Sequence, residues 1–250
     1  MQQRALTGTV LAIALLLFAG LGIAFFLAPT GQPDDRETDA PAAATWAPAA
    51  AAPTLAATAT GPGIAGLVDA DWLATTAQST GIPARALAAY AGAALTKAAQ
   101  MPSCGLSWNT LAAIGFAESR HGSHDGSSLG ADGTVTPGIF GVALAGGDTE
   151  HVADSDGGVI DGDATYDRAV GPMQLIPQTW RNWHVEASGD GVEDPQNIDD
   201  ATMATANYLC RASGDMTTEA GWRAGIAAYN GAESYIRTVA EAGVSYAVAP

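Results

Sequence analysis

The stretch Ser107–Gly122, SWNTLAAIGFAESRHG, puts a single carboxylate where a core residue belongs. Leu111, Ile114, Gly115 and Glu118 fall at i, i+3, i+4 and i+7 and so share one stripe of a helix. Ser107 is its expected N-cap and Gly122 its expected stop. An unpaired carboxylate on such a stripe is costly to bury. The chain must therefore pair Glu118, with Arg120 or with another helix end, or put it to use. A carboxyl held against apolar neighbours keeps its proton to higher pH, which is what a general acid requires. Spacing alone leaves both readings open.

The N-terminus sets the compartment. Ala5–Ala28 is an uncharged run of 24 residues preceded by Arg4 and followed by Asp34, Asp35, Glu37 and Asp39. At about 1.5 Å per residue such a helix spans a bilayer core of ~30 Å. Residues 1–4 then form a cytoplasmic tail and 5–28 a single-pass signal-anchor, with the remainder outside the cell membrane. A cleaved signal peptide is the competitor, with the domain then secreted, but its apolar core runs only about 7–15 residues. Export favours a Cys104–Cys210 disulfide over two buried thiols. The chain carries 10 Lys+Arg and a formal charge of −16, which argues against nucleic acid as a partner.

Residues 29–62 hold six of the 13 prolines among Ala and Thr and read as an extended linker. A folded domain follows over 63–250. Helices are expected at Asp69–Thr80, closed by Gly81; from Pro83, with Leu87, Tyr90, Ala94 and Leu95 on one face; at the Glu118 stretch; and at Ile176–Trp183, Asp200–Arg211, Thr218–Tyr229 and Ser234–Ala242. The segment His124–Val170 has nine acidic residues between Asp125 and Asp167 and no Lys or Arg there. A segment this long without helical period is uncommon in a compact domain unless functional, and short strands around Thr134–Val142 are expected within it. The fold class is thus mainly α, about seven short helices with a loop-rich insertion.

Gly-x-Ser-x-Gly, His-Glu-x-x-His and phosphate-loop motifs do not occur. His121 and His124 are too few for a zinc site and read as solvated loop residues. Glu186-Ala-Ser188-Gly-Asp190-Gly191-Val192 carries oxygen ligands at alternate positions and Gly at the sixth, as calcium loops do, although the twelfth position is Asn197. Asp194, Asp199 and Asp200 offer closing carboxylates, and a polar turn is the plain alternative. Asp154–Asp163 reads first as a turn-rich loop. Gln174, Tyr208, Tyr229, Asn230 and Tyr235 supply rings and amides of the kind that line carbohydrate clefts; as isolated tyrosines they would be core residues.

Four segments follow one another in order: Gly115-Phe-Ala-Glu118-Ser-Arg-His-Gly122, Asp167-Arg-Ala-Val-Gly-Pro-Met-Gln174-Leu-Ile-Pro-Gln-Thr-Trp180, Asp194-Pro-Gln-Asn-Ile-Asp-Asp200 leading into Asn207-Tyr208-Leu-Cys210, and Ala228-Tyr229-Asn230. With them the chain, over roughly Asp69–Ala247, resembles the lytic murein transglycosylases of the membrane-bound B type, in the lysozyme-like superfamily, and most of all their exported, Ala-rich actinobacterial forms. The resemblance implies a lysozyme-like catalytic domain in which Glu118 is the acid/base. Gln174 falls on a substrate-binding glutamine, and Thr165 on the family's active-site hydroxyl position, where Ser is replaced by Thr. Tyr208, Tyr229 and Tyr235 fall on cleft tyrosines. Glu186, Ser188, Asp190, the Val192 carbonyl and Asp200 fall on a structural calcium loop whose first ligand is usually Asp.

The implied reaction cleaves the β-1,4 bond between N-acetylmuramic acid and N-acetylglucosamine in peptidoglycan and closes a 1,6-anhydromuramoyl ring. It requires no cofactor for the chemistry. The partners implied are glycan strands, the membrane through residues 5–28, and cell-wall synthesis or division machinery. A lysozyme-type hydrolase would need a second carboxylate, such as Asp163 or Asp167. A non-catalytic peptidoglycan-binding scaffold would keep the tyrosines without using Glu118.

Overall fold

The computed structural model describes residues 43–147 and 149–247. The expected tail (1–4), anchor (5–28) and first part of the linker lie outside them. Among the described residues no helix is long and apolar enough to cross a membrane.

The described chain is mainly α, with seven α-helices and two small sheets. Helix α1 (Ala70–Thr80) starts where the Asp69 carboxylate accepts the Asp71 and Trp72 amides, and it stops at Gly81 in the left-handed region (φ 72°). Helix α2 (Ala84–Gln100) follows Pro83. Helix α3 (Trp108–Ser119) carries Glu118 in its last turn. The short helix α4 (Pro177–Trp183) and α5 (Ile198–Ser213) lead to α6 (Glu219–Tyr229), which the Thr218 side chain caps, and to α7 (Glu233–Ala247). The last helix runs five residues past its expected end, because Gly243 fits against Ala47 and Asn109 of neighbouring segments rather than stopping the helix.

Helix α3 is the centre of the domain. It packs most extensively on α7, while α2 lies between α3 and α5. Trp108 to Gly115 are buried on every side, the polar Asn109 and Thr110 included, so the expected apolar stripe is in fact a helix buried all round. Only the final turn, Phe116 to Glu118, reaches partial exposure. Glu118 therefore sits at the open end of a core helix and not on one face of it. Gly115 is required at this end, since a Cβ there would stand 2.1 Å from the Tyr90 hydroxyl.

The helix stops sooner than Gly122. Arg120 (φ 50°) and His121 (φ 62°) already take left-handed conformations, and the His121 amide returns to the Gly115 carbonyl at 2.9 Å. Cys104 and Cys210 form the expected disulfide, joining the segment before α3 to α5. In the chain-entropy picture a closed loop of this span contributes up to about 4–5 kcal/mol.

The segment 43–62 departs from the linker expectation, because it is laid along the domain. Ala47 is 1% exposed, and the fully buried Asn109 explains why the chain stays there. Its carboxamide accepts from the Ala50 amide (3.0 Å) and donates to the Pro48 and Gly243 carbonyls (2.9 and 3.0 Å). Trp108 Nε1 donates to the Ala51 carbonyl at 3.0 Å. Proline and alanine lack a period, yet their small side chains let the backbone approach closely enough for these bonds.

The long acidic segment contains the expected short strands. β1 (Ser128–Leu129) pairs antiparallel with β2 (Val135–Thr136), and β3 (Phe140–Ala143) pairs antiparallel with β4 (Arg168–Val170). Between β3 and β4 the aspartates order the chain by accepting its own amides. Asp154 takes those of Asp156, Gly157 and Gly158, and the buried Asp167 takes the amide and hydroxyl of Ser155 (both 2.8 Å).

Candidate active site

Strand β4 ends in a hairpin whose loop is Gly171-Pro-Met-Gln174. Val170 and Leu175 exchange both backbone hydrogen bonds (2.9 and 3.1 Å), and Gln174 closes the loop at φ 49°. Two helices staple this loop. From α3, the buried Ser119 hydroxyl donates to the Pro172 carbonyl (2.6 Å) and accepts the Gly122 amide (2.8 Å). From the end of α6, the Tyr229 hydroxyl donates to the Met173 carbonyl and lies 3.3 Å from Thr205 Oγ1. The glutamate's helix and the glutamine's loop are thus tied through neighbouring residues, Ser119 and Pro172.

Glu118 accepts a 2.5 Å hydrogen bond from the hydroxyl of Tyr235 on α7. Burial pushes its carboxyl up to about 7, against the hydrogen bond from Tyr235, which acts the other way. Burial and the nearby Glu118 charge push the Tyr229 and Tyr235 phenols well above their ordinary value. Both phenols therefore stay protonated donors. The site holds one carboxyl able to carry or release a proton near neutrality, flanked by two fixed hydroxyls.

Two recesses open beside these groups. One, of about 270 Å³, is lined by Phe116, Glu118, Arg120, His124 and Thr238. The other, of about 190 Å³, is lined by Gln174, Thr179, Tyr208 and Tyr229 together with Leu144, Glu150 and Val152. Gln174 turns its amide nitrogen to the Gly171 carbonyl (2.9 Å), and Gly141 leaves room for its oxygen, which a Cβ there would meet at 3.1 Å. Tyr208 anchors its hydroxyl on the Ala228 carbonyl (2.6 Å). Its ring centroid is 6.0 Å from that of Tyr229 and 6.2 Å from that of Trp183.

Glu118 thus meets Tyr235 directly, Gln174, Tyr208 and Tyr229 share one recess, and Tyr229, which feels the Glu118 charge, stands between the two groups. Thr165 is exposed and lines neither recess; its carbonyl accepts from the Asp154 amide (3.0 Å). Asn230 is also exposed and uses its side chain to accept the Ala232 amide (3.1 Å), a turn role after α6. The carboxylates considered for a hydrolase are committed elsewhere. Asp163 pairs with Arg168 (2.8 Å), and Asp167 is buried on Ser155.

Sequence reasoning missed two features. Glu150 reaches the Gln174 recess from the long acidic segment, with no signal but its charge. His121 is buried rather than solvated, with Nδ1 3.1 Å from the Tyr90 hydroxyl and Nε2 3.2 Å from that of Tyr246, and burial lowers its pKa to about 4. Tyr90 on the α2 stripe, at contact distance from Gly115, was the available hint.

The loop expected to bind calcium is held by its own backbone. Asp200 accepts the Ala187, Ser188 and Asp194 amides (2.7, 3.0 and 3.0 Å). Glu186 accepts the Ser188 hydroxyl and the Gly189 and Asp190 amides, and Asp190 accepts the Val192 amide (2.7 Å). Burial, with a smaller push from the Glu186 charge, raises the Asp200 carboxyl to about 6. Three oxygens of the other acidic loop converge more closely. Asp154, Asp156 and the buried Asp167 each present an atom within 4.8 Å of the other two, an arrangement that could hold a metal ion.

Comparison with known proteins agrees in part with these observations. The family model described as Transglycosylase SLT domain matches residues 160–239, which include Gln174, Tyr208, Tyr229 and Tyr235 but leave Glu118 outside. No curated protein and no solved structure matches. Residues 160–239 are thus similar to a transglycosylase SLT domain, a likeness that covers less than half of the chain.

Proposed function

We propose that the protein cleaves the N-acetylmuramic acid–N-acetylglucosamine bond with Glu118 as its single acid and base. The observation that carries this reading is the Glu118 carboxyl, pushed up to about 7 and bonded to Tyr235, beside a loop that presents Gln174. Protonated Glu118 donates to the glycosidic oxygen as the bond to the muramoyl anomeric carbon breaks. The substrate's acetamido group stabilises the cationic centre. Ionised Glu118, kept in place by the Tyr235 hydroxyl, then takes the proton of the muramoyl 6-hydroxyl, whose oxygen closes on the anomeric carbon. That nucleophile is already tethered, so little entropy is lost in bringing it up. One carboxylate suffices, whereas ordinary glycosidases need two. Tyr208, Tyr229 and Gln174 line the sugar path; Thr165 and Asn230 would join it only through contacts made with substrate bound.

Glu118→Gln should abolish the formation of anhydromuramoyl ends while the variant still folds; lytic activity in that variant overturns the assignment. Glu150, in the recess of Gln174 and Tyr229, favours one second reading, a hydrolase with Glu150 as its second carboxylate. Reducing ends in place of anhydro ends, lost in Glu150→Gln, would establish it.

The domain works outside the membrane, held there by residues 5–28. Glu186, Ser188, Asp190, the Val192 carbonyl and Asp200 form an oxygen-rich donor set suited to Ca2+, which would brace the loop between α4 and α5. Millimolar Ca2+ then raises the unfolding temperature, and an unchanged temperature sets the calcium role aside.

A further inference from the structure

Away from Glu118, the ends of α2 and α4 and the C-terminal half of α5 border an open recess of about 520 Å³, among whose lining groups are Lys97, Asn182, Trp183, His184, Asn207 and Arg211. Lys97 is the unusual member. It is 6% exposed, yet among the described residues it has no carboxylate partner. Its ammonium donates one hydrogen bond, 3.1 Å to Asn207 Oδ1, and has three to give. Burial lowers its pKa. The last-turn carbonyls of α2 offset part of the cost of this charge, since a helix C-terminus favours a cation. They do not supply the missing acceptors.

The chain carries a formal charge of −16, so an unpaired buried cation is not explained by a shortage of carboxylates. Arg211 adds a second, exposed positive group at the rim. The His184 ring also lines the recess, with its Nδ1 2.5 Å from a carboxylate oxygen of Glu193. Two cations, two carboxamides and an indole are the lining of a site for an anionic, peptide-like group.

The position of the recess narrows the ligand. Asn207 lines it, while the next residue, Tyr208, lines the Gln174–Tyr229 recess. Trp183 stands between them, its ring centroid 6.2 Å from that of Tyr208. A glycan strand lying along the tyrosines would carry its peptide stems past this wall. We propose that the Lys97–Arg211 recess binds a free carboxylate of a peptide stem attached to the strand, and so selects peptide-bearing over bare glycan. The proposal rests on the reading of the cleft as a peptidoglycan site.

The test is calorimetric titration of the full-length chain with a synthetic stem peptide bearing free carboxylates, with the same peptide amidated at those carboxylates, and with inorganic phosphate. The free-acid peptide should bind the wild type and Lys97→Arg. It should bind Lys97→Met about ten-fold more weakly or worse, the loss expected for a charge-assisted hydrogen bond. The amidated peptide should lose as much. Equal binding to Lys97→Met with its circular dichroism intact, equal binding of the amidated peptide, no binding of the free-acid peptide, or phosphate binding as tightly as the peptide would each overturn the proposal. Cleavage is not part of this readout. Anhydro products without peptide binding therefore refute this site alone, and peptide binding without products refutes the lytic reading alone.

Discussion

Replacing Glu118 by Gln should make the folded protein more stable at neutral pH and leave it unchanged in acid. In the unfolded chain this carboxyl titrates near 4.5, and in the folded protein burial holds it at about 7. Between those values the folded state keeps a proton that the unfolded state has lost. Its stability therefore falls as pH rises through that window, and the whole cost is present above it. One pKa unit corresponds to about 1.4 kcal/mol, so the displacement amounts to about 3 kcal/mol as an upper figure. Water reaches the half-buried side chain, which brings the expected effect to about 2 kcal/mol. Glutamine keeps the shape and still accepts from Tyr235, but it cannot ionise. Urea unfolding followed by circular dichroism, run on both proteins from about pH 4 to about pH 8, reads the difference directly. The difference should be near zero at the acid end and should open progressively toward the neutral end. Other titrating groups, His121 included, cancel in the comparison. A difference that stays constant across the range would mean that Glu118 ionises in the folded protein as it does in water, and the acid/base argument would lose its physical basis.

Ser119→Ala should cost about 2–4 kcal/mol in unfolding free energy, since it leaves the Gly122 amide and the Pro172 carbonyl without their shared partner. A loss within experimental error would show that α3 and the Gln174 loop are not held by this bond. Tyr235→Phe removes the hydrogen bond that favours ionised Glu118, so the carboxyl should rise further and the basic limb of the pH–rate profile should move to higher pH, with a lower maximal rate. An unmoved limb refutes that coupling. The His121 imidazole, lowered by burial from 6.5 to about 4, favours the folded state fully above the unfolded value and loses that contribution as pH falls through the window. His121→Phe should flatten the acid side of the stability profile, and an unaltered acid side contradicts the assignment.

The sequence revealed those parts of the fold that are set by a few adjacent residues. Asp69, Gly81, Pro83 and Thr218 mark helix ends because capping and φ preferences act within one turn. Chemistry gathered from four helices and a hairpin is harder to read. Glu118 stood out because a carboxylate broke an apolar pattern, although α3 proved buried all round and the glutamate lies at its end. The tyrosines could be assigned only through the order of the four segments, since a lone tyrosine on a helix is equally a core residue. The hairpin loop Gly171–Gln174 left no periodic trace, because its shape comes from bonds sent in by Ser119 and Tyr229. The docking of residues 43–62 was invisible for the same reason: what holds it is the buried amide of Asn109, far away in sequence. Thr165 and Asn230 show the converse limit, where a motif position does not by itself bring a side chain to the site.

Digestion of purified peptidoglycan by the wild type and by Glu118→Gln, with the products identified by mass spectrometry, tests the account most directly. The account predicts anhydromuramoyl ends from the wild type and none from the variant. Reducing ends from the wild type, or anhydro ends from the variant, would contradict it.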